Sequence, residues 1–195
     1  MDAAELDYNI RKPLRFPEEV LVRFSFLIEW GFKCFHTEPT IVQYMSRKAC
    51  VNIFLGRRSF EIDAEFQKDL NSTAFGMGEM LRLLSYPEAD NYRRYASDTV
   101  NGVARGVEIL SDIFLKHLTA DVFYDKHLFE KLEKQRDVEI NSWCKEMKKE
   151  HLRLDLENAW KKKDYHTILE CAESLKGVEL LKSEIAKINY ARKTF

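Results

Sequence analysis

At 195 residues the chain is long enough to bury a domain core, and Lys+Arg 31 against Asp+Glu 32 leave it almost neutral. With 45% hydrophobic residues, 7 Gly and 4 Pro, it lacks the composition of a disordered or collagen-like chain, and no apolar run approaches the length of a membrane helix. The charge balance argues against the one-sided basic field by which nonspecific nucleic-acid or acidic-membrane binders neutralise phosphate. Cys34, Cys50, Cys144 and Cys171 form no CxxC pair. A chain of this size needs no disulfide staples, so reduced, mostly buried thiols are expected. The opening MDAAELDYNIRK has no apolar signal core, which makes a cytoplasmic protein the expectation.

In chain order, Pro17 followed by Glu18 and Glu19 starts a helix, and Val20, Phe24, Leu27 and Ile28 give it one apolar face over residues 17–30, with Gly31 as its stop. The period then changes to that of strands. Ile41 to Met45, Cys50 to Leu55 and Ser59 to Phe66 are β-prone runs separated by SRK and GRR, and Lys33 to His36 adds a first strand before the Glu38-Pro39 turn. In SFEIDAEF, the residues Phe60, Ile62, Ala64 and Phe66 face one way and Glu61, Asp63 and Glu65 the other. The Phe/Ile face is expected against the first helix.

From about residue 76 the pattern is helical. Met77 to Leu84 is a short helix ended by Tyr86-Pro87, and Ala96, Val100, Val103, Val107, Leu110 and Phe114 form the seam of a long one. Gly102 and Gly106 lie one turn apart in it, as if another part of the chain came close. Phe129, Leu132, Ile140, Trp143 and Met147 carry the pattern through 126–150, followed by helices over Asp155 to Lys162, Tyr165 to Lys176 and Val178 to Lys193. The expected class is α+β: an N-terminal helix plus a small antiparallel β-meander of three to four strands, followed by a mostly antiparallel helical bundle. One domain over 1–195 is expected, with subregions 1–75 and 76–195.

Several side-chain groups invite chemistry. Cys34-x-His36 on a strand puts a thiol and an imidazole on one face, yet nothing supplies an orienting acid or oxyanion donors, and an edge strand explains it equally. His117, Asp121, Asp125 and His127 are spaced like loose metal ligands, but the HLTADVFYDKH stretch reads as an interhelix corner where such residues cap and solvate. Arg136 interrupts an apolar seam, where its long stem can pack while its head reaches water. No catalytic, cofactor or metal set is assigned. The row Glu61, Asp63, Glu65, with Arg57 and Arg58 in the adjoining turn, is the candidate contact with a partner protein, against the plainer reading of a solvated strand face.

The segment AWKKKDY with Ala172 downstream resembles a single tetratricopeptide-like helix pair over Leu156 to Tyr190; with no second copy, it implies a helical hairpin rather than an array. The whole order is similar to small bacterial α+β proteins of immunity and defence neighbourhoods: a helix ending in GF, strands around VQYMS and ACVNIFLGRRSFEI, long helices, then AWKKKDYHTILECAESL and INYARK. That resemblance implies a non-enzymatic immunity-type inhibitor that occludes a toxin or effector domain, acting as a monomer or homodimer. Two alternatives stand beside it: an enzyme centred between sheet and helices and using His36, His117 or His127, and a nucleic-acid-associated regulator using the Lys161-Lys162-Lys163 turn.

Overall fold

The computed structural model describes residues 11–56, 58–87 and 89–194. Pro17 occupies the first turn of α1 (Phe16–Arg23), where its missing N–H leaves no bond unmade, and Glu18 and Glu19 follow at the positive end of the helix. The helix expected over 17–30 is two helices. The first ends at Arg23, Phe24 leaves the helical conformation at φ −100° and ψ 20°, and α2 (Phe26–Glu29) follows. The break buries Phe24 and Leu27 completely and leaves Ile28 exposed, which one straight helix with all three on its inner face could not do. Gly31, at φ +87°, then turns the chain into the sheet.

An antiparallel meander runs through β1 (Lys33–Glu38), β2 (Ile41–Met45), β3 (Cys50–Leu55) and β4 (Glu61–Gln67). Its covered face is built by strict alternation: Val42 and Tyr44, then Val51, Ile53 and Leu55, then Ile62, Ala64 and Phe66 are all buried. Phe60 does not join that row. At φ +53° it belongs to the turn, where the buried Arg11 lies 4.2 Å over its ring and donates to the Gly56 carbonyl at 2.9 Å.

Two very short strands complete the sheet, both against β4: β5 (Phe75–Gly76) pairs with Glu65 and Phe66, and β6 (Tyr95–Ala96) with Glu61 and Ile62. Between them lies α3 (Met77–Leu83), and after them come α4 (Val100–His117), α5 (Ala120–Tyr124) and α6 (Leu128–Lys162). The last helices are α7 (Tyr165–Ser174) and α8 (Lys182–Thr194). The class is α+β, with an N-terminal helical segment, an antiparallel meander and then helices. Thr99 caps α4 by accepting from the Gly102 amide at 3.2 Å, and Val103, Val107, Leu110 and Phe114 form its buried seam, which starts two turns later than the sequence pattern implied, since Ala96 lies in β6 and Val100 is exposed.

The chain divides into two compact units, Met1–Gln135 and Arg136–Phe195. The pairing of β5 and β6 with β4 joins the segments around them to the sheet, whose core runs from Leu14 to Leu132. A second core, from Leu156 to Ala191, belongs to the helical hairpin, where Tyr190 packs edge-on to Trp160 with ring centroids 5.5 Å apart. The two helices expected over 126–150 and 155–162 are one continuous α6.

At Gly106 the close approach that the sequence hinted at is real: a Cβ there would sit 2.5 Å from Ile62 Cδ1 and 2.6 Å from the Tyr95 ring. At Gly102 a Cβ would overlap Ser97 Oγ and sit 2.6 Å from Ser97 Cβ and 2.9 Å from Oγ1 of the capping Thr99, an approach closer still. Gly106→Ala is therefore expected to lower stability in urea unfolding by about 2 kcal/mol despite its better helix propensity. Gly102→Ala, which meets Ser97 and the capping Thr99, is expected to be destabilising as well; a stabilising Gly106→Ala would refute this reading of the α4 contact.

Candidate polar cleft and exposed helix face

The β4 face that alternation turns away from Ile62, Ala64 and Phe66 was expected in solvent. Instead Asp63 is only 1% exposed. A buried carboxylate needs donors on both oxygens, and the returning segment between α3 and β6 supplies them. Tyr92 Oη donates to Asp63 Oδ1 at 2.6 Å, the Ala64 amide donates to the same oxygen at 2.8 Å, and Arg94 Nε donates to Oδ2 at 2.6 Å. From that anchor, Arg94 also reaches Glu61 Oε2 at 3.4 Å and lies 6.0 Å over the Phe54 ring. Tyr92 and Arg94 are two residues apart on an extended approach to β6, so both point at Asp63.

Beside this cluster is a cleft of about 450 Å³ walled by the carboxylates of Glu61, Asp63, Glu79 and Asp90 and the guanidinium groups of Arg82, Arg93 and Arg94. Several of these groups are already committed: Glu79 accepts from the Gly76 amide at 2.8 Å and so caps α3, while Arg93 donates to the carbonyls of Asp90 and Tyr92 at 3.2 and 2.8 Å. Such a mixed-charge cleft can pair with groups of both signs. The same sheet face continues as an amide ladder, Gln43 to Asn52 at 2.9 Å and Asn52 to Gln67 at 2.9 Å.

The sequence candidates thus separate. Asp63 is the buried anchor, Glu61 stands at the cleft, and Glu65 is half-buried beside them. Arg58 is exposed in its turn, and Arg57 lies outside the described residues. Cys34 and His36 do not share a face: a bulge between them pairs Cys34 with Tyr44 but His36 with Gln43, neighbours that point to opposite sides of β2. The thiol sits 3.4 Å from Thr37 Oγ1, and the imidazole is 3.1 Å from Glu38. His117 lies against Tyr86 with ring centroids 4.1 Å apart and planes tilted by 59°, His127 pairs with Glu130 at 2.9 Å, and Asp125 with Lys131 at 2.6 Å. Among the described residues no three His, Cys, Asp or Glu side chains converge as metal ligands.

Sequence periodicity also placed Ile140, Trp143 and Met147 in a packed seam, and the structure overturns this. In the second unit they are 51%, 64% and 41% exposed, and Leu154, on the same helix face, is 57% exposed. The face of α6 that packs is nearly opposite, through Leu152, Leu156 and Ala159. Period alone cannot tell which side of a helix finds a partner, and Lys and Glu surround both stripes. Glu139, Glu146 and Glu150 border one edge of the exposed row.

Comparison with family models, curated proteins and solved structures gave no match for the chain. Among the described residues no helix is long and apolar enough to cross a membrane.

Burial pushes the Asp63 carboxyl above its ordinary 3.8, against the opposing bonds from Tyr92, the Ala64 amide and Arg94. Burial also raises Glu65 above 4.5, helped by the charges of Asp63 and Glu79 and opposed by Arg94. A carboxyl with a raised folded value keeps its proton where the unfolded chain has lost it, so its contribution favours folding at low pH and declines as pH rises through that window. The stability of the wild type relative to Asp63→Asn, measured by urea unfolding across pH, is expected to fall as pH rises from 3.8 and then level off. A relative stability that climbs with pH would mean that Tyr92 and Arg94 outweigh burial.

Proposed function

We propose that the chain is a protein-binding module, an immunity-type inhibitor that occludes a toxin or effector domain. The observation that carries this reading is the exposed apolar row on α6 with Trp143 at its middle. Contiguous exposed apolar side chains mark association surfaces, and tryptophan is the residue that most often anchors them. Glu146 and Glu150 along one edge are already paired with Lys149 and Arg153, so the complementary partner is defined by an apolar groove that takes Trp143. The occlusion mechanism is steric. The Glu61-Asp63-Glu65 row supports binding less directly than expected, because a carboxylate as buried as Asp63 holds Arg94 in place and cannot itself meet a partner.

An enzyme centred on the polar cleft is the second reading, favoured by the raised carboxyls of Asp63 and Glu65 in and beside that cleft. Affinity capture from the native host separates the two. Wild type is expected to retain one stoichiometric protein, and Trp143→Ala combined with Met147→Glu to weaken that complex by about tenfold or more without altering the far-ultraviolet spectrum. Undiminished capture by the double variant would remove the α6 face from the proposal. A small molecule retained in place of a protein, and lost on Glu61→Lys, would favour the enzyme.

A further inference from the structure

A second hollow, of about 340 Å³, differs in kind from the polar cleft and lies wholly within the first unit. Its apolar lining is aromatic: Phe32 and Phe123 are nearly fully buried and meet edge to face with centroids 5.2 Å apart, and Trp30 lies 6.2 Å from Phe123. Tyr124 forms a further wall, held by its hydroxyl donating to the Trp30 carbonyl at 3.3 Å. Gly31 makes that approach possible, since a Cβ there would meet the Tyr124 hydroxyl at 3.2 Å.

The charge at this hollow has one sign. The tight turn between β2 and β3, closed by Ser46 accepting from the Lys48 and Ala49 amides at 3.2 and 3.1 Å, places Arg47 and Lys48 on the lining. Lys48 is fixed there, donating to the Tyr124 carbonyl at 3.1 Å with its ammonium 5.1 Å from the Tyr124 ring centroid. No acid is among the described lining residues; of the two acids adjacent to them in sequence, Asp125 is held by Lys131 and Glu29 is exposed on α2.

We propose that this hollow is a binding site for a small planar aromatic anion, its ring against Trp30, Phe123 and Tyr124 and its carboxylate or phosphate on Arg47 and Lys48. Aromatic walls stack on a flat ring, a guanidinium and an ammonium together select an anion, and the volume falls in the range of small-ligand pockets. The site does not depend on the protein-binding reading, since none of its residues belongs to α6 or to the polar cleft.

Titration calorimetry on the full chain tests it, with indole-3-acetate and adenosine 5′-monophosphate as carboxylate and phosphate probes and indole-3-acetamide and adenosine as their neutral counterparts. Saturable binding of at least one anion is expected, and the tighter of the two identifies the anionic group. The neutral counterpart should bind about tenfold weaker or worse, the loss of one charge-assisted contact. Arg47→Glu with Lys48→Glu, both exposed and therefore compatible with folding, should abolish the anion preference. Absence of saturable binding by either anion, equal binding of the neutral molecules, or undiminished binding by the double variant would overturn the proposal.

Discussion

A carboxylate sealed from water can stay in a fold only if donors surround it, and Asp63 imposes that condition on the first unit. Beside the adjacent Ala64 amide, the donors Tyr92 and Arg94 come from a segment about thirty residues later, which has to be brought back along β4. Phe75–Gly76 and Tyr95–Ala96 do this by pairing with β4, which threads α3, Tyr92 and Arg94 over the face that alternation alone would leave in water. The polar cleft and the close packing of α4 against Ile62 and Tyr95 both follow from that return.

The burial of Asp63 also decides what its neighbours can do. With both oxygens occupied, its role is to fix Arg94 between Asp63 and Glu61 and so set the polarity of the cleft wall. Recognition by a partner is better served where side chains have no packing duty. In the second unit, α6 presents such a face, because its core contacts run through Leu152, Leu156 and Ala159 and leave Trp143 and Met147 outside. In the first unit the aromatic hollow is a third chemical environment, single-signed where the cleft is mixed.

Much of the architecture was legible in the sequence. The strands Ile41–Met45 and Cys50–Leu55 were readable from their β-branched and aromatic content between turn signals, and Glu61–Gln67 from its alternation. Gly106 signalled its close contact because glycine in a helix interior needs a reason. The candidate sites were less legible. The bulge separating Cys34 from His36 leaves no mark in composition, and the break at Phe24 and Ser25 carries neither proline nor glycine. Tyr92 and Arg94 were missed because two-residue strands are too short to show a period; the one available signal was a tyrosine and an arginine two apart in the stretch between the helix that Tyr86-Pro87 ends and the next helical seam.

By itself the sequence determined the α+β class, the order of the four main strands ahead of the long helices, and the inner face of the meander, since these depend on local propensity and on periods of two and 3.6. Only the tertiary structure decided that the opposite face of β4 is covered, that the cores divide after Gln135, and that the middle of α6 keeps an apolar row in solvent. Those outcomes turn on which distant segments meet, and a side chain's burial or exposure is set by that meeting rather than by its neighbours along the chain.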